Sequence, residues 1–376
     1  MSRNLRILHC LRAPVGGLFR HVVDLAREQA QLGHNVGIIH DRFTQSDGAL
    51  KTLGALEKLC RLGIRSVKMP KLISPRDYLA FREVKEFASE AKVQILHGHG
   101  AKGGAYARLA ANELHQPGSP CYSVYTPHGG SLHYSPSDFI GRIYLNFEKR
   151  LTRKTKGIIF ESEYSAQIFD QVIGRGFCRD RVIPNGLTMD EFRPITIEED
   201  ASDFVFVGEL RKLKGVDLLL QAIEILNHKN RVTLSIVGDG PDETLFRSMS
   251  KKFGISDKVR FLGRLPARTA FGQGHCVVVP SRAESFPYIV LEACAAARPL
   301  IATDVGGISE IITQDMGQLV PPDNGVALAE VMDLYCSSPD EFQTRAEALQ
   351  SSVQQRFTVE LMAAQITDFY LAIMGR

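Results

Sequence analysis

Short β-branched runs alternate with longer amphipathic segments along the whole chain, and this alternation constrains the fold more than any other feature. In the first half the apolar runs are LRILHC, NVGIIH, VQILHG, CYSVYTPHG, GIIFES and RVIPNG. The pattern restarts at Asp203 with DFVFVG, TLSIVG, KVRFLG, CVVVPS, PLIATDVGG and GQLVP. Strands that alternate with helices form parallel sheets covered by helices on both faces. The sequence therefore predicts an α/β protein with two doubly wound domains in tandem.

The length of the chain supports two domains, because 376 residues exceed the usual size of a single hydrophobic core. Residues 1–190 are predicted to form the N-terminal domain and residues 203–356 the C-terminal domain. Residues 191–202 carry acidic side chains and a proline without an apolar period, which is typical of a surface linker. Residues 357–376 are predicted to form an amphipathic helix that can cross back to the N-terminal domain.

Composition and charge exclude several classes of protein. With 45 basic and 42 acidic residues, the net charge of +3 is too small to predict nucleic-acid binding. We find no apolar run long enough to cross a bilayer, and the first residues lack the apolar middle of a signal peptide, so a cytoplasmic location is expected. The seven cysteines are scattered without a CxxC pair, which argues against a disulfide framework and a zinc site.

Two glutamates, Glu284 and Glu292, flank the predicted start of a helix that follows the strand CVVV. With Ser285 as N-cap and Pro287 in the first turn, this helix is expected to begin near Phe286. Its free backbone N–H groups can bind a diphosphate, and the two carboxylates can hold hydroxyl groups on either side of it. A sugar nucleotide has that arrangement. The alternative is that Glu284 is a solvated acid and Glu292 pairs with a neighbouring base.

A basic loop, with Arg211, Lys212 and Lys214, follows another predicted strand of the C-terminal half. Cations opposite a helix N-terminus would neutralise a diphosphate and stabilise it as a leaving group. A basic loop by itself is more often simply solvated. Its occurrence in the same half as the glutamate pair favours a common phosphate site.

These motifs together resemble glycosyltransferase family 4, whose members are retaining enzymes of the GT-B fold that use nucleotide-activated sugars. The resemblance covers essentially the whole chain, and its clearest motifs are the glutamate pair, the G-x-L-x-x-x-K-G loop, VGDGPDE, VRFLG and PLIATDVGG. It implies two Rossmann-like domains that face each other across a cleft. It also implies that Glu292 holds the donor ribose, Glu284 a hydroxyl of the donor sugar and Lys214 the phosphates.

One position departs from the family pattern. The family commonly has an arginine after the first glycine of the basic loop, and this chain has Glu209 there. Arg211 can supply the missing cation to the donor; alternatively, Glu209 is turned away or contacts the acceptor. The same departure is the one feature that favours a non-catalytic sugar-nucleotide-binding protein.

The N-terminal half offers two further candidates. Gly16 and Gly17 lie at the first predicted strand-to-helix turn, and the resemblance implies that their backbone approaches the donor phosphates and the acceptor. A tight turn would need the same glycines, and the missing GxGxxG pattern argues against a dinucleotide-binding dehydrogenase. His128 matches a family position close to the reacting carbon of the donor sugar, where its backbone or ring can stabilise developing charge. His97 and His99 also follow strand ends, but without a nearby carboxylate in the sequence no metal site is predicted.

A basic stretch, GRIYLNFEKRLTRKTKG, alternates cations with apolar residues. We interpret it as a helix with one face on the core and a solvated basic face. The alternative is an amphipathic surface that lies against anionic lipid head groups on the inner face of a membrane.

The function predicted from the sequence is retaining transfer of a glycosyl group from a nucleoside-diphosphate sugar to a hydroxyl acceptor. A saccharide or lipid-linked acceptor in surface-polysaccharide assembly is expected by analogy with the family. Neither a metal nor a cofactor is expected, and the nucleotide sugar acts as co-substrate. The alternatives are a GT-B-like sugar-nucleotide epimerase and a non-catalytic sugar-nucleotide-binding protein.

Overall fold

The computed structural model describes residues 4–44, 47–129, 139–174, 176, 178–228, 232–313 and 317–375. The chain divides into two compact units. The first unit contains Met1–Gly186 and Val359–Arg376, and the second contains Leu187–Thr358.

The first unit is built on a parallel sheet whose strands alternate with helices. Its elements up to residue 186 are β1 (Arg6–Leu11), α1 (Gly16–Gln31), β2 (Asn35–Asp41), α2 (Asp47–Leu56), β3 (Gly63–Val67), α3 (Asp77–Glu90), β4 (Ile95–His99), α4 (Gly100–Leu114), β5 (Tyr122–Thr126), α5 (Phe139–Thr152), β6 (Gly157–Phe160), α6 (Glu163–Val172) and β7 (Arg179–Val182). Within the described residues the strand order is β3-β2-β1-β4-β5-β6-β7. The order reverses at β1, so the carboxyl ends of β1 and β4 border the crevice where doubly wound sheets bind ligands.

The second unit repeats this plan. Its elements are β8 (Ser202–Val207), α7 (Val216–Asn227), β9 (Leu234–Val237), α8 (Glu243–Lys252), β10 (Val259–Gly263), α9 (Ala267–Phe271), β11 (Gly274–Val279), α10 (Tyr288–Ala295), β12 (Leu300–Thr303), α11 (Ile308–Ile311), β13 (Gln318–Val320), α12 (Gly325–Ser337) and α13 (Pro339–Arg356). In the described ranges its parallel sheet has the order β10-β9-β8-β11-β12-β13. The order reverses between β8 and β11, which places their carboxyl ends side by side.

The segment predicted as a linker, residues 191–202, lies in the second unit, which begins at Leu187. The guanidinium of Arg268 donates hydrogen bonds to the carbonyls of Glu191, Arg193 and Pro194. Phe192 and Ile195 pack against the apolar core of this unit. Hydrogen bonds and apolar contacts therefore hold most of the segment to the second unit, and the division falls four residues before the expected boundary of 190, since 190 − 186 = 4.

The last helix, α14 (Val359–Ile373), belongs to the first unit. Its apolar face, with Met362, Ile366 and Phe369, packs into a core that contains Leu5 and Ile95. The spacing of these residues predicted an amphipathic helix, and the structure places its apolar stripe on the sheet of the first unit.

Candidate functional site

Two loops of the second unit meet at the carboxyl ends of β8 and β11. The Nζ atom of Lys214 lies 2.6 Å from Oε1 of Glu284, although the two residues are 70 positions apart. The Lys214 side chain is 27% exposed and that of Glu284 is 9% exposed. The strand order thus joins the basic loop and the first glutamate of the pair in one partly open site.

Glu284 is held in place through both its side chain and its backbone. The Ser281 hydroxyl donates a hydrogen bond to Oε1 of Glu284 at 2.7 Å. Behind it, Gly306 has φ 60°, and a Cβ atom at this position would lie 1.7 Å from the Glu284 carbonyl oxygen. Gly306, the first glycine of the pair in PLIATDVGG, is therefore needed both for the close approach of the two loops and for its backbone angle.

The basic loop is fixed in a similar way. Gly215 ends a short 3-10 helix, Lys212–Lys214, with φ 71°, and a Cβ atom there would lie 1.8 Å from the Pro280 carbonyl oxygen. The Arg282 backbone N–H donates to the Leu213 carbonyl at 2.8 Å. Both glycine and backbone pairing therefore set the position of Lys214 relative to the turn after β11.

Arg282 is a site residue that the sequence did not single out. Its guanidinium binds the two carboxylate oxygens of Asp217 at 2.8 and 2.9 Å, and its Nε lies 2.6 Å from Asp323. The hydrogen bonds to Asp217 are the largest reason that its pKa is raised. This bidentate pair ties the turn after β11 to the first turn of α7. Arg282 carries no sequence signal, because its partners come from two distant segments.

The helix after β11 begins later than predicted. The start near Phe286 and the N-cap at Ser285 are wrong, since α10 begins at Tyr288 after Pro287. The Ser285 carbonyl accepts a hydrogen bond from the Gly307 N–H at 3.0 Å, which holds this residue outside the helix. The Phe286 side chain is 4% exposed and packs in the core against Phe357, so only its backbone can face a ligand.

Three further donor candidates of this unit are Glu292, Arg211 and Glu209. Glu292 is half-buried in α10, one turn after Tyr288. Arg211 lies 3.5 Å from Glu209, and both side chains are about half exposed. Arg211 was expected to replace the arginine that the family has at position 209, but the carboxylate of Glu209 offsets part of its charge.

In the first unit, Gly16 and Gly17 begin α1 immediately beyond β1, as the sequence indicated. Both are exposed, and Gly16 has φ 66° with no atom within 4 Å of where a Cβ would stand. The positive φ of Gly16 thus favours glycine at this position, although a side chain there would meet no neighbouring atom.

A chain of hydrogen bonds between histidines crosses the sheet of the first unit. His9 Nε2 lies 2.9 Å from Gln29 Oε1, and His9 Nδ1 lies 3.0 Å from His99 Nε2. His99 Nδ1 is 3.1 Å from His128 Nε2, and His128 Nδ1 is 2.5 Å from Glu161 Oε1. Both ring nitrogens of His128 therefore bond within the protein. Its backbone, with φ 49°, is the part that remains for a ligand.

Burial keeps the histidines of this chain, and His21 whose ring lies beside His99 and His128, from ionising. Removal from water lowers the pKa of His9 to about 4 and that of His21 to about 3, and the pKa of His99 lies well below its usual value. Burial opposes ionisation of Glu161, but its interaction with His128 outweighs this and lowers the pKa of the carboxyl group. At neutral pH these three imidazoles are neutral and Glu161 is a carboxylate.

Among the residues that the structure describes, two groups of three histidines could hold a metal ion, His9 with His97 and His99, and His21 with His99 and His128. Neutral imidazole is the form that binds transition metals. In the described structure, however, His97 already bonds to Thr126 and Tyr370, and the His99 nitrogens bond to other histidines. Metal binding would require these hydrogen bonds to break, and the absence of a metal stays a prediction.

The basic stretch forms α5, and its apolar residues are divided between two environments. Leu145 and Leu151 are buried, whereas Ile143 and Phe147 are exposed beside Arg142, Lys149 and Arg150. The interpretation of a helix with its apolar side on the core accounts for only part of this surface. In the part of the chain that the structure describes, no helix combines the length and hydropathy needed to span a membrane.

Comparison with known proteins gives matches over nearly the whole chain. The family model described as Glycosyltransferase Family 4 matches residues 15–191, and that described as Glycosyl transferases group 1 matches residues 189–352. A phosphatidylinositol N-acetylglucosaminyltransferase gpi3 subunit from Schizosaccharomyces pombe is 24% identical over 91% of this chain and 75% of the relative. An O-antigen chain mannosyltransferase C from Escherichia coli is 31% identical over 51% of this chain and 54% of the relative.

Among solved structures, the Anabaena protein HepE in complex with UDP and glucose has a TM-score of 0.81. It is 20% identical, and the match covers 98% of this chain and all of HepE. This likeness shows the fold and confirms the α/β class that the sequence predicted.

Proposed function

Because the chain belongs to glycosyltransferase family 4, we propose that it moves a sugar from a nucleoside-diphosphate sugar to a hydroxyl acceptor with retention of anomeric configuration. The contact between Lys214 and Glu284, at 2.6 Å, carries this proposal. It brings a cation for the diphosphate next to a carboxylate for a sugar hydroxyl, at the edge where parallel sheets bind ligands. The complex of HepE with UDP and glucose supports a donor of this class.

In this proposal the residues of the second unit divide the donor between them. Lys214 binds the phosphates, Glu284 binds a hydroxyl of the sugar and Glu292 binds the ribose. When the glycosidic bond breaks, negative charge grows on the departing diphosphate while the sugar becomes oxocarbenium-like. Lys214 stabilises that charge because its ammonium group is already held in position by Glu284. Glu284 thus serves both the sugar and the lysine.

Retention requires either a protein nucleophile or attack from the face of the leaving group. Glu161 is the carboxylate nearest to His128 among the described contacts, and its side chain is 3% exposed and bonded to that imidazole. A buried, paired carboxylate cannot reach a sugar carbon. We therefore favour front-face attack, in which the acceptor oxygen bonds to the sugar carbon and its proton passes to an oxygen of the leaving phosphate.

The proposed acceptor is a lipid-linked saccharide or another hydroxyl of surface-polysaccharide assembly. Relatives named for phosphatidylinositol and for the O-antigen chain support this choice. The same proposal includes a hexose donor, no requirement for a metal ion, and a cytoplasmic enzyme that contacts the inner face of the membrane peripherally.

The first experiment is thermal unfolding of the purified protein with UDP, GDP, ADP and their sugar conjugates. A ligand that binds only the folded state raises the midpoint temperature of unfolding. At a ligand concentration of a hundred times its Kd, the gain in unfolding free energy is about 2.7 kcal/mol. We expect a shift with one base that is lost in Lys214→Ala and Glu292→Ala. The control is Lys212→Ala in the same loop, which should keep the shift. Equal shifts in all four proteins would contradict the assignment of the donor site.

Two alternatives are separated by product analysis. A sugar-nucleotide epimerase would convert the donor in the absence of acceptor, whereas a transferase of this kind needs the acceptor hydroxyl. A non-catalytic binding protein would show the nucleotide-dependent shift without turnover in either case. The exposed Glu209–Arg211 pair is the observation that favours the non-catalytic alternative.

A further inference from the structure

A pocket of about 490 Å³ opens between α3, α4 and α5 of the first unit. This volume lies within the range of pockets that bind small molecules. The lining is mainly apolar and includes Ile73, Tyr78, Phe81, Leu109, Ile143 and Phe147. None of the residues assigned to the donor contributes to it, so the pocket is a separate feature of the fold.

The charged residues in the wall of the pocket are paired with one another or with neighbours. Lys102 Nζ lies 2.5 Å from Asp77, which also accepts a hydrogen bond from the Tyr106 hydroxyl. Glu148 forms a buried ion pair with Arg108. Glu113, the remaining charged residue of the wall, is about half exposed and pairs with Lys85 at 2.6 Å. Because Asp77, Lys102 and Glu148 are satisfied by their partners, the rest of the surface that the pocket offers to a ligand is mainly hydrocarbon and aromatic.

The apolar surface continues outside the pocket. Tyr78 is 64% exposed and Ile73 is 58% exposed, and their sequence neighbours Leu79 and Leu72 are also exposed. Ile73, Tyr78, Ile143 and Phe147 line the pocket and are exposed themselves, so apolar surface reaches solvent at this site. Large exposed patches of this kind on soluble proteins mark sites of interaction, because leaving them in water costs free energy.

Cations lie on the same helix as the rim of this patch. Arg142, Lys149 and Arg150 on α5 are exposed, whereas the acid of that segment, Glu148, is buried against Arg108. A positive surface next to an apolar opening complements a molecule that joins a hydrocarbon chain to an anionic head group. A polar peptide would leave the pocket unfilled, and a neutral apolar compound would leave the cations unused.

We propose that this pocket takes an acyl chain of an anionic membrane lipid, whose head group lies against the basic side of α5. This site rests on the peripheral membrane contact of the proposed function and gives it a place in the fold, but it does not depend on the donor assignment. Apolar side chains covered by the acyl chain would be removed from water, and the basic residues would attract the anionic head group.

The test uses the fact that the chain has no tryptophan. Phe147→Trp introduces a single reporter at the pocket, and Leu334→Trp introduces one at an exposed position of α12 in the second unit. Vesicles of phosphatidylcholine, with or without phosphatidylglycerol, carry doxyl-labelled acyl chains that quench nearby tryptophan. We expect a blue shift and several-fold quenching of Trp fluorescence in Phe147→Trp on the anionic vesicles, and neither change in Leu334→Trp. Equal quenching of both reporters, or none, would overturn the proposal.

A second substitution tests the pocket against general attraction to the surface. Ala101 lies in the pocket wall and is only partly buried, so Ala101→Phe fills space without enlarging the core. Added to Phe147→Trp, it should reduce quenching several-fold and leave the nucleotide-dependent thermal shift unchanged. Undiminished quenching would show that no chain enters the pocket, and equal quenching on vesicles without phosphatidylglycerol would remove the role of the head group.

Discussion

Among single residues, Lys214 differs from the other cations of its loop by its contact with Glu284, and the proposed function makes its position as important as its charge. Its ammonium group is held by Glu284 in the absence of a ligand, so in the proposed reaction little reorganisation would be needed when a diphosphate departs. Lys212 has the same charge in the same short 3-10 helix, but its backbone N–H bonds to Asp242 and it takes no part in the Lys214–Glu284 contact. The two lysines therefore form a matched pair for mutation.

Lys214→Ala is expected to lower kcat by roughly 10²–10³-fold, the usual cost of losing one preorganised group that stabilises charge in the transition state. Steady-state kinetics with saturating donor and acceptor would measure this change. Lys212→Ala should stay within a few-fold of the parent protein. Full activity in Lys214→Ala would remove its role with the phosphates.

Glu292→Ala is expected to raise the KM for the donor by about tenfold or more. A hydrogen bond to a charged group contributes about 1.5–3 kcal/mol, and every 1.4 kcal/mol is about a factor of ten in affinity. Initial rates at varied donor concentration would test it, with the KM for the acceptor as the internal comparison. An unchanged donor KM would contradict the ribose assignment.

At the scale of elements, the loops of the second unit depend on glycines that allow backbones to approach closely. Gly306 and Gly254 both have positive φ, 60° and 68°. A Cβ at Gly306 would collide with the Glu284 carbonyl, whereas a Cβ at Gly254, after α8, would meet open space. Comparing the two separates the cost of the backbone angle from the cost of the collision.

Gly254→Ala is expected to cost about 1–2 kcal/mol of unfolding free energy from the backbone angle alone. Gly306→Ala should cost clearly more and should also weaken donor binding, because the turn that carries Glu284 has to move. Urea unfolding and the nucleotide-dependent thermal shift would measure the two effects. An equal loss of stability in both variants, with donor binding intact, would show that the close contact has no consequence.

The α5 segment was predicted correctly as a helix, but its apolar residues are not all buried in the core as predicted. Its period predicted one apolar side on the core, and Leu145 and Leu151 are indeed buried. Ile143 and Phe147 instead line the pocket with residues of α3 and α4. The periodicity of a helix indicates which residues are apolar together, but neighbouring helices decide which of them are covered.

At the scale of the whole molecule, the first unit carries a group of buried histidines whose pKa values lie below the ordinary value of 6.5. The most deeply buried are His9, His21, His97 and His99, and burial also lowers the pKa values of His34 and His40. In the unfolded chain each takes up a proton as the pH falls through about 6.5, whereas the folded unit resists protonation until much lower pH. Their contribution to stability is therefore present above about pH 6.5 and is lost as the pH falls towards the folded pKa values, about 4 for His9 and about 3 for His21.

The unfolding free energy of the first unit is expected to fall between pH 7 and pH 5 by up to about 1.4 kcal/mol per pH unit for each of these histidines. Denaturant unfolding at several pH values would measure the slope. His97→Gln should reduce the slope by the contribution of one histidine, which is up to about 1.4 kcal/mol per pH unit. His275→Gln, at an exposed position, is the control and should leave the slope unchanged. A slope that is the same in all three proteins would contradict the burial of neutral histidines.

Local pattern predicted most of the strands of this protein, because an alternating apolar run and its flanking turns depend on neighbours in sequence. The strand β3, Gly63–Val67, was missed, since it lies at the edge of its sheet, where only Val67 is buried and the apolar signal is weak. The predicted start of α10 was wrong for a different reason: the hydrogen bond from Gly307 that holds Ser285 outside the helix comes from another loop.

The amino-acid pattern was enough to predict the two α/β units and to single out Lys214, Glu284 and Glu292 as candidates, because glycines, cations and carboxylates at strand ends have recognisable spacing. The contact of Lys214 with Glu284 and that of Glu161 with His128 became visible only in the folded chain. The tertiary structure also decided which apolar residues of α5 form a pocket. Such contacts join segments far apart in the chain, and strand order and helix packing bring them together, which no local period encodes.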